Sequence, residues 1–300
     1  MKKIRKNILC DPDERWFLIF LLPFLSMFVL FTVIPIISSV VLSFFNFDMI
    51  KKVEFTGITN YIRLLLNDGI FKTVVSNTVI FAVITGPGGF LLSFVLAWFI
   101  NEFSPFIRTV LSFLFYAPSL VGGAYFIWKV LFSSDSYGYL NSFLLSSGLI
   151  TEPIAWLNNT EYIFGIIVLV QLWQSMGVSF LANISGLQNV NAEMYEAGAI
   201  DGVRNRWQEL WYITLPSMKH MLLFSAVMQI SSAFSVSAIA IELAGYPSVE
   251  YRVDTIVSYM TDVGTVRYEM GYASAMAVIL FGMMAIFRWI IGKLINSTGR

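Results

Sequence analysis

The chain has 300 residues and no net formal charge; 57% of the residues are hydrophobic, 16% aromatic and only 13% charged, with a mean hydropathy of +0.73. A soluble fold needs more polar surface than that, whereas a bilayer accepts it. Zero net charge leaves no bulk attraction to nucleic acid, and the single cysteine, Cys10, excludes a disulfide framework or a cysteine-held metal.

The stretch 1–16 carries Lys2, Lys3, Arg5, Lys6 and Arg15 among Asp11, Asp13 and Glu14. It has no small-residue cleavage site, and no apolar stretch precedes Cys10, so it reads as a cytoplasmic flank before a first span. A spanning helix needs about 20 mostly apolar residues. Six stretches meet that need, at 17–44, 73–100, 109–132, 162–183, 218–243 and 271–295. They predict an all-α transmembrane domain over 17–295, with a short tail at 296–300. Trp16, Trp98, Trp128, Tyr162 and Trp289 stand near the ends of these stretches, where interfacial aromatics belong. Pro35, Gly86-Pro87-Gly88-Gly89 and Pro118 interrupt three of them, and the second and third spans are expected to be kinked.

With both termini inside, twelve of the 19 Lys and Arg residues fall on the cytoplasmic side and seven outside. The positive-inside rule therefore favours that orientation. Three longer loops then face outward. The first, 46–72, contains Asn60 and Tyr61; the second, 133–160, contains Asn141 and Trp156; the third, 245–270, carries Glu250, Arg252, Asp254, Asp262, Arg267 and Glu269. Mixed charge suits contact with a partner protein, and equally suits solvated connectors.

The middle thirds of the six stretches hold no ionisable residue. A proton- or sodium-coupled carrier would more often keep a carboxylate or histidine at depth, and a strongly charged solute would want a buried counter-charge. Uncharged polar groups are plentiful instead. Gln171, Gln174, Ser175 and Val178 share a face of the fourth stretch beside Trp173, and Gln229, Ser232 and Ser235 repeat the spacing on the fifth. Amides and hydroxyls both donate and accept, and aromatic rings suit the apolar faces of sugars. The same groups also serve as interhelical glue, the plainer reading for any one serine; the amides of Gln171 and Gln174 fit a solute pocket better. His220, the only histidine, has no metal-spaced partner and reads as an interfacial residue.

Between the fourth and fifth stretches lies a polar island, 185–217. Met194, Ala197 and Ile200/Asp201 have helical spacing, Glu193 and Glu196 occupy the early turns, and Gly202 suits the left-handed position that closes a helix. The chain has no G-x-x-x-x-G-K-[S/T] stretch, so it cannot cradle ATP phosphates by that motif.

Glu196-Ala197-Gly198-Ala199-Ile200-Asp201-Gly202, followed by Ile213-x-Leu215-Pro216, resembles the EAA loop of permease subunits in binding-protein-dependent ABC importers. The likeness is greatest to the carbohydrate permeases of the maltose/glycerol-phosphate group. It extends to Trp173-Gln174-x-x-Gly177, Gly186-Leu187-Gln188 and Gly271-Tyr272-Ala273-Ser274-Ala275. Gly198 stands where a second alanine is usual, Val203 where alanine is usual, and His220 where a proline often follows. The resemblance implies a six-helix bundle of the type I ABC importer kind in a bacterial cell membrane. It implies that Glu196, Ala197, Gly198, Asp201, Gly202, Leu215 and Pro216 form a coupling helix and its support, docked on an ATPase. It also implies a second homologous permease, two ATP-binding subunits that hold ATP and Mg, and an extracytoplasmic sugar-binding protein, with no cofactor on this chain. Sugar contacts would come from the helices flanking the loop. Three rivals stay open: a gradient-driven carrier, a membrane enzyme for lipid-linked sugars using Glu250, Asp254 and Asp262, and an importer of glycerol-phosphate or another anion.

Overall fold

The computed structural model describes residues 12–50, 52–234 and 236–297. Cys10, most of the 1–16 flank, Ser235 and the last three residues of the expected tail lie outside the described residues. The chain divides into two compact units, residues up to 66 with 260–279, and 67–259 with 280 onward.

In the first unit, helix α1 (Pro12–Phe28) passes through a π turn at Val29–Val33 into α2 (Ile34–Leu42). Together Ile19–Leu42 is long and apolar enough to cross a membrane, and no residue of its most apolar window is buried. A short hairpin follows, β1 (Phe45–Asn46) against β2 (Glu54–Phe55), then α3 (Thr59–Ile62). Asn60 donates to the carbonyls of Ser43 and Phe45 at 2.9 and 3.0 Å, and Tyr61 donates to Ser43 Oγ at 2.7 Å. Gly271 donates to Phe47 O at 3.1 Å, and a side chain there would run into the Phe45 carbonyl. The glycine is thus required by close backbone approach. Arg63 sits 4.0 Å above the Tyr272 ring and pairs with Glu269 at 2.6 Å.

The second unit opens on α4 (Gly69–Asn101), capped by Asp68, whose carboxylate accepts from Phe71 N at 2.8 Å. Pro87 does not break it: α4 stays helical for 33 residues, so the expected interruption at Pro87 is not a break. The third expected span, 109–132, is broken instead. It forms α5 (Pro105–Leu120) and α6 (Phe126–Leu131), and neither is long enough to span alone. Pro118 removes a donor near the end of α5, and Gly123 at φ +87° turns the chain before α6. After α7 (Tyr139–Ser146) the fourth expected span is also two pieces, α8 (Ile163–Gln174) and α9 (Gly177–Gln188), bent by 45°. Then come α10 (Ala192–Ile200), α11 (Arg206–Glu209), a π turn at Leu210–Thr214, and α12 (Leu215–Ser217). The fifth expected span comprises α13 (Lys219–Ala233) and α14 (Ser237–Ala244). The last elements are α15 (Ile256–Thr261) and α16 (Met270–Ser297), which starts in the first unit and ends in the second. Among the described residues, four helices pass as spans by length and composition, or five with the bent α8–α9 pair.

Two apolar clusters hold the second unit. One joins Phe81 of α4, Ile166, Ile167 and Val170 of α8, Ile239 and Leu243 of α14, and Val253. The other joins Phe94, Ala97 and Ile100 of α4 to Phe180, Ile184 and Leu187 of α9, with Leu210 and Met218. Where such clusters face lipid-filled surroundings they hold by close van der Waals packing, because lipid tails are as apolar as the side chains themselves.

Beyond the first cluster, single polar side chains organise whole loops. Asn141 is fully buried: its amide nitrogen lies 3.0–3.1 Å from the carbonyls of Ser133, Asp135 and Ile154, and its oxygen accepts from Ile154 N and Trp156 Nε1. Asn77 of α4 donates to the carbonyls of Tyr251 and Asp254 at 2.7 and 3.0 Å, and Thr78 Oγ1 accepts from Ile256 N at 3.0 Å. Asp254 is buried in the same loop; it accepts from Ser248 N at 3.1 Å, but its Oδ1 has no hydrogen-bond partner. Burial raises its pKa above the usual 3.8, more than the Ser248 contacts lower it.

Asn141→Ala is expected to destabilise the folded protein by about 2–4 kcal/mol, because five backbone and indole groups lose one partner. A lower melting temperature in detergent and new protease cuts within 133–156 check it. For Asp254 the sign follows from its raised pKa: the fold binds this proton more readily than the unfolded chain, so stability falls as pH rises past the usual carboxylate range. Asp254→Asn should therefore raise the melting temperature at about pH 7.5 and give no advantage at about pH 4. Equal effects at both pH values would show that ionisation is not the cause.

Candidate functional site

Asn191 caps α10 by accepting from Glu193 N at 3.1 Å, which satisfies one of the donors left free at a helix start. Its other end closes with Gly202 at φ +94°, while Val203 N donates to Gly198 O at 2.9 Å and Gly202 N to Ala199 O at 3.4 Å. This pair of bonds is the Schellman closure, and only glycine takes the left-handed position at little cost. The helix therefore stops where the spacing predicts.

One face of α10 is free and the other is held. Glu196, Ala197, Asp201 and Gly202 are exposed, and Ile200 is 87% exposed. Gly198 is buried against Ile213 of the π turn: a Cβ on it would lie 2.5 Å from Ile213 Cδ1. That contact gives a physical reason for a glycine where alanine is usual. Tyr195 OH and Thr214 Oγ1 bond at 2.9 Å, and Ser217 Oγ donates to Ile213 O at 2.6 Å. Leu215 is half-buried, and Pro216 is the second residue of α12, directly after the π turn at Leu210–Thr214. The region 192–217 thus behaves as one body with an apolar and charged outer face.

That body touches α4. Arg206 pairs with Glu102, the residue that ends α4, and with Glu209 at 2.9 Å. The Trp207 ring lies 5.3 Å from that of Trp98. Hydrogen bonding to Glu209, only partly offset by burial, and the charge of Glu102 hold the Arg206 pKa above its already high value, so it stays charged. The pair is exposed and contributes roughly 0–1 kcal/mol to stability. A cavity of about 270 Å³ lies beneath, lined among others by Trp98, Asn101, Glu102, Tyr195, Arg206 and Thr214.

The polar residues of the fourth and fifth expected spans come together as a seam. Gln171 is buried and donates to Ser232 O at 2.9 Å and Ser232 Oγ at 3.2 Å. Gln229 is buried and donates to Ser175 O at 3.1 Å. Ser175 follows the last residue of α8 and Ser232 lies in the last turn of α13, where the regular i+4 ladder has ended and Phe234 N turns to the Ser232 carbonyl. Each glutamine therefore caps the other helix's broken end. Ser179 and Ser225 exchange bonds to each other's carbonyls at 3.2 and 3.4 Å, and Asn183 donates to Ser93 of α4 at 3.2 Å. Ser179, Asn183, Ser225 and Ser93 were not expected from the sequence, although 171, 175, 179 and 183 repeat every four residues. Gly89 of α4 closes on this seam, since a Cβ there would lie 2.9 Å from Gln229 Oε1 and Ser175 Oγ.

Other expected residues lie apart from the seam. Val178 is 47% exposed, and the bend between α8 and α9 directs it away from buried Gln171 and Ser175. Trp173 is half-buried and meets Trp128 edge-on at 5.5 Å. Gln229 Oε1, Gln174 Oε1 and Trp128 Nε1 are buried without hydrogen-bond partners. Among the described residues no group of three or more histidine, cysteine or carboxylate side chains could hold a metal ion.

A mostly helical chain with bent, apolar spans and a capped polar helix held out between two of them has the architecture of a membrane transport subunit. Residues 79–298 match the family described as the binding-protein-dependent transport system inner membrane component, and the chain belongs to that family. It is 30% identical over 281 residues to the arabinooligosaccharides transport system permease protein AraP of Bacillus subtilis, covering 93% of this chain and 88% of the relative. It is 34% identical over 213 residues to the lactose transport system permease protein LacF of Rhizobium radiobacter, covering 70% and 69%. Its fold matches a chain in the crystal structure of a bacterial ABC transporter that imports the acidic polysaccharide alginate, with a TM-score of 0.81 at 21% identity, covering 98% of this chain and 100% of that one.

The Gly198–Ile213 contact is testable by a double-mutant cycle. Ile213→Val alone should cost about 1 kcal/mol by removing a buried methyl. In the Gly198→Ala background the same change should cost nothing, because the new Cβ occupies the vacated space. Melting temperatures of the four proteins give the coupling; additive shifts would remove the packing explanation.

Proposed function

We propose that this chain is a permease subunit of an ATP-driven importer that carries a sugar or oligosaccharide into the bacterial cytoplasm by alternating access. It lies in the cytoplasmic membrane with six crossings and both termini inside; the third crossing runs through α5, the turn at Gly123, and α6. It pairs with a second homologous permease and two ATP-binding subunits, and an extracytoplasmic binding protein delivers the solute. The chain supplies no ATPase site and binds no cofactor; ATP and Mg belong to the ATP-binding subunits.

The observation that carries this reading is α10: a short helix, capped at both ends, with Glu196 and Ile200 exposed and its other side locked on Ile213. Such an element is preorganised for a cytosolic partner. The named relatives support a carbohydrate solute, since AraP and LacF are described as serving arabinooligosaccharides and lactose. A related complex with an alginate pentasaccharide-bound periplasmic protein supports the delivery step. Closure of the ATP-binding subunits would move the 192–217 body and, through α9 and α13, the polar seam. In the solute path, Gln174, Trp173 and Ser232 would offer an amide, an aromatic face and a hydroxyl, with Val178 an apolar contact at its margin, and the unpartnered Gln229 Oε1 and Gln174 Oε1 would accept from sugar hydroxyls. Ser235 belongs to the same expected set.

Gly202→Asp tests the reading, because an L side chain at φ +94° is strained and adds charge at the end of α10. Uptake by cells carrying this variant should fall to background while the subunit remains membrane-inserted at parental abundance. Uptake at the parental rate would overturn it, as would vanadate-insensitive uptake in proteoliposomes.

A further inference from the structure

We infer that α4 is a second output of the coupling helix, driven through the Arg206–Glu102 pair, so that Arg206 is a positioning residue for transport. The inference rests on the permease reading above and adds a route that does not follow the chain.

Three observations carry it. First, the 192–217 body meets the end of α4 through charge and ring contact at once: Arg206 with Glu102, and Trp207 with Trp98. Glu209 holds the same guanidinium at 2.9 Å, which fixes Arg206 to α11 while its other nitrogen reaches across. Second, α4 is unbroken from Gly69 to Asn101, whereas α8–α9 bends and α13 ends at Ala233. α4 lacks one ladder bond at Pro87 but keeps helical backbone on both sides of it, so it forms one rigid element linking its two ends. Third, α4 touches what must move. Thirteen residues before Glu102, roughly 20 Å along the axis at 1.5 Å per residue, Gly89 abuts Gln229 and Ser175, the pair that closes the break after α8. Further along, Asn77 and Thr78 hold the backbone of the 251–256 loop.

The pair is exposed, with side chains 60% and 44% accessible, so folding does not depend on it. A cavity beside it leaves room for Arg206 to shift without unpacking a core. In this arrangement the covalent route through α9 and α13 and the ionic route through α4 move both sides of the seam together. Losing the ionic route leaves ATP hydrolysis running while the seam follows it poorly.

The test uses the complete complex in proteoliposomes: this chain with its partner permease, the ATP-binding subunits and the binding protein. Arg206→Glu and Glu102→Arg should each lower solute imported per ATP hydrolysed by about fivefold, with assembly and melting temperature unchanged. The double variant, which restores opposite charge in reversed order, should return the ratio to within about twofold of the parent. Unchanged ratios in both single variants, or a loss that the double variant does not rescue, would overturn the inference while leaving the permease reading intact. Parental complex that hydrolyses ATP without binding-protein-dependent import would overturn the permease reading and this inference with it.

Discussion

A helix that ends inside a bilayer leaves carbonyl groups with neither a helical partner nor water, and each one left bare costs several kcal/mol. This chain ends or bends two helices side by side, at Ser175 and around Ser232, and resolves both with one exchange. Gln171 reaches one broken end and Gln229 the other. Gly89 lets α4 approach one of these amides, since a Cβ there would lie 2.9 Å from Gln229 Oε1 and Ser175 Oγ. The exchange and the apolar cluster of Phe94, Phe180 and Ile184 together hold α4, α9 and α13 against one another.

Much of this was legible in residues. The apolar stretches 17–44, 73–100, 218–243 and 271–295 coincide with the four helices long and apolar enough to cross a membrane among the described residues, and the polar island 185–217 contains α10. Gly202 ended the helix because its position after Asp201 matched a known closure, a local rule that needs no tertiary knowledge. What local rules could not supply was where the spans break. Pro87 looked like an interruption and α4 runs through it, while 109–132 looked like one span and is divided by Gly123. Whether a proline or glycine breaks a helix depends on which neighbours take up the freed groups, and that is a property of the packed bundle.

The same limit applied to the polar residues. Gln171 and Gln229 were recognised as unusual at depth, but their donors turn toward backbone carbonyls across the seam. Val178, grouped with them by helical spacing, is 47% exposed and follows a 45° bend that spacing does not encode. Ser179 and Asn183 continue a four-residue rhythm that a longer window would have caught. Arg206 and Glu102 could not have been paired by pattern, since about a hundred positions separate them.

Asn141 has a consequence of a different kind. One amide ties Ser133, the turn at Asp135, Ile154 and the indole of Trp156 into a single knot. Such a loop does not sample many shapes before a visitor arrives. Any protein that settles on it meets a surface already in its final form, and surrenders little disorder in doing so. A preformed surface of this kind favours fast, reversible contacts over slow, coupled folding.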